Sequence, residues 1–168
     1  ARTVYLTGYP VKTPEDLRAW RYLLEDTGYE ACYGDWEAAD RAVGDDGIDM
    51  ANLPDSPLHR VFVTMMGYEA GSLAFADLPR EMDGVCRLIL AKNEEAYAVA
   101  MASPAEVLLT GENTNSDFES PDLFGRYAFP TLRRASELAH AAGKLHWVHA
   151  CGKLRALLPR ADVLSLHC

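Results

Sequence analysis

No run of apolar residues in this 168-residue chain approaches the ~20 needed to cross a membrane as a helix. The N-terminus lacks the basic-then-apolar order of a secretory signal. No Cys-x-x-Cys pair occurs among the four cysteines, Cys32, Cys86, Cys151 and Cys168, which argues for reduced thiols and a cytoplasmic protein. Basic residues are few: 16 Lys and Arg against 25 Asp and Glu, a formal net charge of -9. Nucleic acid and anionic membranes both select clustered Lys and Arg, so neither is expected as a partner. Internal repeats and low-complexity linkers are missing too. No glycine-rich phosphate loop follows any expected strand, which argues against a dinucleotide site.

What is present is 49% hydrophobic residues, enough for a sizeable core in one domain. Thr13-Pro14-Glu15-Asp16 opens a helix, with Thr13 as N-cap, Pro14 in the first turn and acids at the positive end of the dipole. Leu17, Trp20, Leu23 and Leu24 form its apolar stripe, and Gly28 closes it. Residues 29–56 carry turn signals at 44–47 and 54–57, so residues 1–56 read as an extended and helical excursion of the same domain.

From residue 57 onward strand and helix are expected to alternate. His59–Met66 reads as a strand stopped by Gly67. Asp77-Leu78-Pro79 starts a helix running toward Met101, with Met82, Val85, Cys86 and Ile89 as its buried stripe. Val107–Thr110 is the next strand, and 112–120 a polar loop. Ser120-Pro121-Asp122 caps a helix that Pro130 should kink and Gly143 should end. Lys144–Ala150 is a third strand, followed by a short helix near 153–158 and a last strand over 162–167. Alternating β and α elements imply a parallel sheet covered by helices. Two architectures meet that description, a doubly wound sheet and a (β/α)8 barrel, and the missing phosphate loop favours the barrel. A barrel takes about 250 residues and eight strands. Residues 57–168 hold about half of that, so the chain is expected to be a fragment, or to be completed by another chain or a second copy.

The chemistry concentrates at His149-Ala150-Cys151-Gly152. Side chains two apart on a strand share a face, so an imidazole and a thiol project together from a strand end. Both are borderline-soft ligands suited to zinc. The alternative reading is a His and a Cys that merely fill the top of a barrel. His146 falls on the opposite face and is expected to pack against a helix. His59 and His140 read as surface or core residues. Glu112 and Asn113 follow a strand and are expected on the cleft side, as a further metal ligand or as substrate-orienting groups. Cys168 ends the last expected strand and is the candidate third ligand, with an ordinary strand terminus as the alternative.

Ser103-Pro104-Ala105-Glu106-Val107, Gly111-Glu112-Asn113, Ser120-Pro121-Asp122-Leu123-Phe124 with Pro130, Gly143-Lys144 and His149-Ala150-Cys151-Gly152 together resemble, in order and spacing, the uroporphyrinogen decarboxylase superfamily. The resemblance covers residues 57–168 and, more loosely, 1–30. It implies a (β/α)8 barrel with a cleft at the strand C-termini. One branch decarboxylates uroporphyrinogen without metal. The other passes a methyl group between a corrinoid protein and a thiol, with zinc held by a His-x-Cys pair and a distant Cys. His149 and Cys151 match that pair and favour the methyltransferase branch. The family's third Cys lies further along than Cys168. The resemblance thus implies zinc, a corrinoid on a partner protein, and a small-molecule substrate. A metal-free decarboxylase and a non-catalytic assembly module remain the alternatives.

Overall fold

The computed structural model describes residue 6 and residues 8–157. Among the described residues, seven α-helices and three strands carry the fold. Helix α1 (Pro14–Asp26) opens as its sequence dictates: the Thr13 hydroxyl accepts from the Asp16 N–H, and the Asp16 carboxylate accepts from the Thr13 N–H. That reciprocal cap satisfies two donors that have no partner inside the helix. Helix α2 (Gly34–Val43) and a 3-10 turn at Gly44–Asp46 lead into strand β1 (Met50–Asn52).

Ser56 and Pro57 then start α3 (Pro57–Arg60), which continues through a wider turn over Val61–Met65. The strand expected at His59–Met66 is therefore a helix. Leu58, Val61, Phe62 and Met65 are all fully buried, at the three- and four-residue spacing of one helical face. A continuous apolar run this short does not distinguish a buried strand from a buried helix. The Ser56 cap, whose hydroxyl accepts from the His59 N–H at 3.1 Å, decides it here.

Helix α4 (Tyr68–Asp77) precedes α5 (Pro79–Met101), which begins at Pro79 and buries Met82, Val85, Cys86 and Ile89 as its stripe predicts, with Tyr97 buried further along. Strand β2 (Val107–Glu112) follows. Helix α6 (Pro121–Leu123) is capped by Ser120 and passes through a wide turn at Phe124–Ala128 into α7 (Phe129–Ala141). The Phe129 N–H reaches back five residues to the Phe124 carbonyl. The widening sits immediately before Pro130, whose ring cannot follow a regular turn, so the kink is taken up as an expanded turn. Gly143 (φ 70°) then ends the helix ahead of β3 (Leu145–Ala150).

The three strands form one parallel sheet in the order β1-β2-β3. Residues 50–52 pair with 107–109, so the segment read as a peripheral excursion supplies a strand of the sheet itself. The chain is thus α/β, with consecutive parallel strands joined by helical crossovers, and the sheet is open among the described residues. The helix expected near 153–158 is a turn over 155–157 where it is described. The strand expected over 162–167, with Cys168, lies outside the described residues.

Helices cover one face of the sheet. Leu108 packs with Tyr97, Ala135 and Ala139 beneath it. A larger core of Leu17, Leu58, Phe62, Met82, Ile89, Phe124 and Leu132 joins α1, α3, α5, α6 and α7 to one another. The opposite face carries Val107, Leu109, Leu145 and Trp147, and Leu145 and Trp147 are 61% and 59% exposed.

Candidate functional site

The chemistry-bearing residues gather at the C-terminal ends of the three strands, where parallel α/β sheets place their sites. Asp55, Ser56 and His59 follow β1. Glu112, Asn113, Thr114 and Glu119 end or follow β2. His149 and Cys151 end or follow β3.

The loops after β2 and β3 interlock. The Cys151 N–H donates to the Glu112 carbonyl at 3.4 Å, and the Ser116 N–H to the Lys153 carbonyl at 3.0 Å. Lys153 also pairs with Asp117 at 2.8 Å. Gly152 makes the fit possible. Its φ of 123° is a conformation that L side chains rarely adopt, and a Cβ there would stand 2.8 Å from the Thr114 carbonyl oxygen.

Within this frame Asn113 and Cys151 meet: the thiol donates to Asn113 Oδ1 at 3.0 Å. Cys151 is exposed, and so is His149, which belongs to the same sheet face as Trp147. Both donors of the His-x-Cys pair are accessible to a ligand. In kind they fit zinc, an imidazole nitrogen and an ionisable sulfur. In number they fall short: among the described residues no three His, Cys, Asp or Glu side chains form a group that could hold a metal ion. Cys168 lies outside those residues.

Glu112 occupies the other face. The register pairs Leu108 with His146 and Glu112 with Ala150, so Glu112 shares the helix-covered side with Leu108. It is 1% exposed. Both oxygens are engaged by one residue: the Ser56 N–H donates to Oε1 at 2.6 Å and the Ser56 hydroxyl to Oε2 at 2.9 Å. This carboxylate ties the end of β2 to the end of β1. It does not stand open in a cleft beside His149, as the sequence led us to expect. Burial pushes it up to about 7, against the His59 charge and the Ser56 hydrogen bonds, which pull it down.

His146 packs against α7 as expected, between the Ser136 hydroxyl (2.8 Å from Nδ1) and the Thr110 hydroxyl (2.9 Å from Nε2). Burial holds it down to about 4, so it is neutral. Cys86 is the buried small hydrophobe its stripe implied, its thiol pushed up to about 12 by burial.

Two residues escaped the sequence reading. His59 is 7% exposed and pairs through Nδ1 with Asp55 at 3.1 Å. Glu119 is 1% exposed, with Oε2 buried and unpartnered, and burial followed by the nearby Glu112 charge raises it to about 7. The signal for Glu119 was its place immediately before the Ser120-Pro121 cap, which turns it inward. For His59 it was the Ser56-Pro57 helix start, hidden by the strand reading.

No protein-family model matches the chain, and no curated protein or solved structure matches it. Among the described residues no helix is long and apolar enough to cross a membrane.

Proposed function

We propose that this chain is part of a (β/α)8 barrel of the uroporphyrinogen decarboxylase type that moves a methyl group between a corrinoid, carried on a partner protein, and a small thiol in the cytoplasm. The observation that carries the reading is the exposed His149 and Cys151 pair at the C-terminal end of β3, with Asn113 accepting the thiol hydrogen. The barrel is supported by consecutive parallel strand order and by the bare apolar face of Leu145 and Trp147. Purely parallel sheets are almost always covered on both sides. In the proposed barrel that face is the interior, closed by further strands from a longer chain, a partner or a second copy.

His149 and Cys151 would hold zinc, with Cys168 as the candidate third donor. A bound zinc ion would keep the cosubstrate thiol ionised at neutral pH. The chain's own residues do the rest. Asn113 fixes the Cys151 side chain. Glu112 locks the β1 and β2 ends together. Gly152 lets the two loops close. A metal-free decarboxylase is the second reading, favoured by the buried acid Glu119, whose unpartnered oxygen and raised value suit a carboxyl that holds a proton.

Metal analysis of the purified chain and of Cys151→Ser tests the first reading. About one zinc per chain, lost on substitution, is the expected result. Equal metal content in both proteins, or none in either, removes zinc-dependent methyl transfer.

A further inference from the structure

A groove of about 380 Å³ opens where the exit from β1, the last turns of α5 and the entry to α2 come together. Leu53 and Pro54 bring the strand exit to it, and Ala96 and Ala100 bring α5. The chain entering α2 supplies three aromatic side chains, Tyr29, Tyr33 and Trp36, and one carboxylate, Glu30. Pockets of this size, mostly apolar with a few polar groups, are where small molecules bind.

Two of the rings turn their polar atoms away from the groove. The Tyr33 hydroxyl donates to the Val99 carbonyl at 2.8 Å, a bond that spans 66 residues of chain. The Trp36 indole nitrogen is buried, and the ring packs on the cluster of Leu53 and Tyr97. Both residues therefore present ring carbon to the groove. Both are also held before any ligand arrives, which lowers the entropy lost on binding.

The charge around the groove is of one sign. Glu30 is exposed beside it, and no basic side chain among the described residues lines it. Aromatic faces are negative and attract a cation held within about 6 Å of the ring centroid. An anion is repelled by the rings and by Glu30. A small metal ion would give up its water to a lining of carbon with a single carboxylate in return. An alkylated ammonium carries its charge under methyl groups, sheds little hydration and covers apolar surface.

We propose that this groove binds the quaternary ammonium group of a small molecule, with the charge over Tyr29, Tyr33 and Trp36 and with Glu30 beside it. The site lies along β1, at the other edge of the sheet from β3 with its His149 and Cys151. It does not rest on the thiol-methylating reading.

The test uses the full chain, with choline as the probe and 3,3-dimethyl-1-butanol, its uncharged counterpart of the same shape, as the control. A cation over an exposed ring gains a factor of about two to five in affinity, so three rings should favour choline by about tenfold or more in calorimetric titrations. Glu30→Gln and Tyr29→Leu should each weaken choline by about two- to fivefold and leave Tm unchanged. The alcohol should bind Glu30→Gln as it binds wild type. Cys32 is exposed and lines the same groove, so bound choline should slow its alkylation by iodoacetamide and leave Cys151 labelling as it was. Equal affinity for the two probes overturns the proposal, and so does the absence of choline binding at about 10 mM. Choline that binds without slowing Cys32 labelling sits elsewhere, which overturns the assignment to this groove.

Discussion

Replacing Glu119 by Gln should make the protein more stable, and increasingly so as pH rises from about 4.5 to about 7. The sign follows from where the proton sits. Glu119 has an ordinary value of 4.5 and is raised to about 7 by burial and by the Glu112 charge. Below 4.5 the folded and unfolded chains are both protonated at this position, and it contributes no pH dependence. Between 4.5 and 7 the folded chain keeps a proton that the unfolded chain has lost, so stability falls with rising pH. Above 7 the full penalty is in place. The interval from 4.5 to about 7, at ~1.4 kcal/mol per pH unit, puts a ceiling of about 3 kcal/mol on the effect. A Gln cannot ionise and escapes that penalty. It also relieves Glu112, whose charge Glu119 opposes. The difference between variant and wild type is the quantity to measure, because His146 tilts both curves the other way at acid pH: its neutral folded form costs stability as pH falls from 6.5 toward about 4. At 2–4 °C per kcal/mol for a chain of this size, the gap in Tm should widen by about 6–12 °C between pH 4.5 and pH 7.5. Urea unfolding followed by circular dichroism at five or six pH values supplies the free energies. A gap that stays constant with pH would show that Glu119 ionises normally and is not held in a low-dielectric site.

Gly152→Ala should cost about 2 kcal/mol or more, because the φ of 123° and the 2.8 Å approach to the Thr114 carbonyl both resist a Cβ; thermal unfolding reads this, and a neutral substitution would mean the two loops do not interlock. Cys151 should be alkylated by iodoacetamide in the native protein while Cys86, buried with its thiol pushed up to about 12, stays unmodified; peptide mass mapping decides, and early labelling of Cys86 would contradict the packing of α5. Ser56→Ala should destabilise by about 2 kcal/mol, since it removes the α3 cap and one of the two bonds to a buried carboxylate. A loss below about 0.5 kcal/mol in urea would show that the tie between the β1 and β2 ends is weak.

Local signals with a single physical meaning carried through from sequence to structure. The Thr13 and Ser120 caps, the prolines at 14, 79 and 121, Gly143 and the stripe of Met82, Val85, Cys86 and Ile89 all stand where their chemistry places them. The failures share one cause, which is long-range pairing. Met50–Asn52 is a three-residue strand with no alternation to detect, and only its contact with Val107–Leu109 makes it part of the sheet. His59–Met66 packs against α4, α5 and the turn after α6 along one face, but its Val61-Phe62-Val63 and Met65-Met66 runs mask the helical spacing, and a short apolar run cannot be told from a buried strand by periodicity. Pro130 was legible as a disturbance but not as an expanded turn, whose geometry depends on how Phe124 and Tyr127 pack. At the site, His149, Cys151 and Asn113 were legible because they are adjacent in sequence or sit at strand ends. Glu119 and His59 acquire their character from burial and from neighbours that the fold brings in, Glu112 beside both and Asp55 beside His59, across some sixty residues of chain.

The alternation rule that singles out His149 and Cys151 also separates them from Glu112. Along β2 the helix-covered positions are Leu108, Thr110 and Glu112; along β3 the bare positions are Leu145, Trp147 and His149. The rim of the sheet therefore carries two chemistries on two sides. A soft, exposed pair faces the apolar surface, and a hard, buried set of carboxylates and imidazole faces the helices. They meet only over the strand ends, where Asn113 reaches Cys151. A site built this way keeps its metal-ligand candidates open to a ligand, and keeps its proton-holding groups in the low dielectric that raises the carboxyls toward neutrality. The division of labour depends on Glu112 lying at the strand end. One residue further along, its carboxylate would turn to the exposed side, lose Ser56, and behave as an ordinary surface acid.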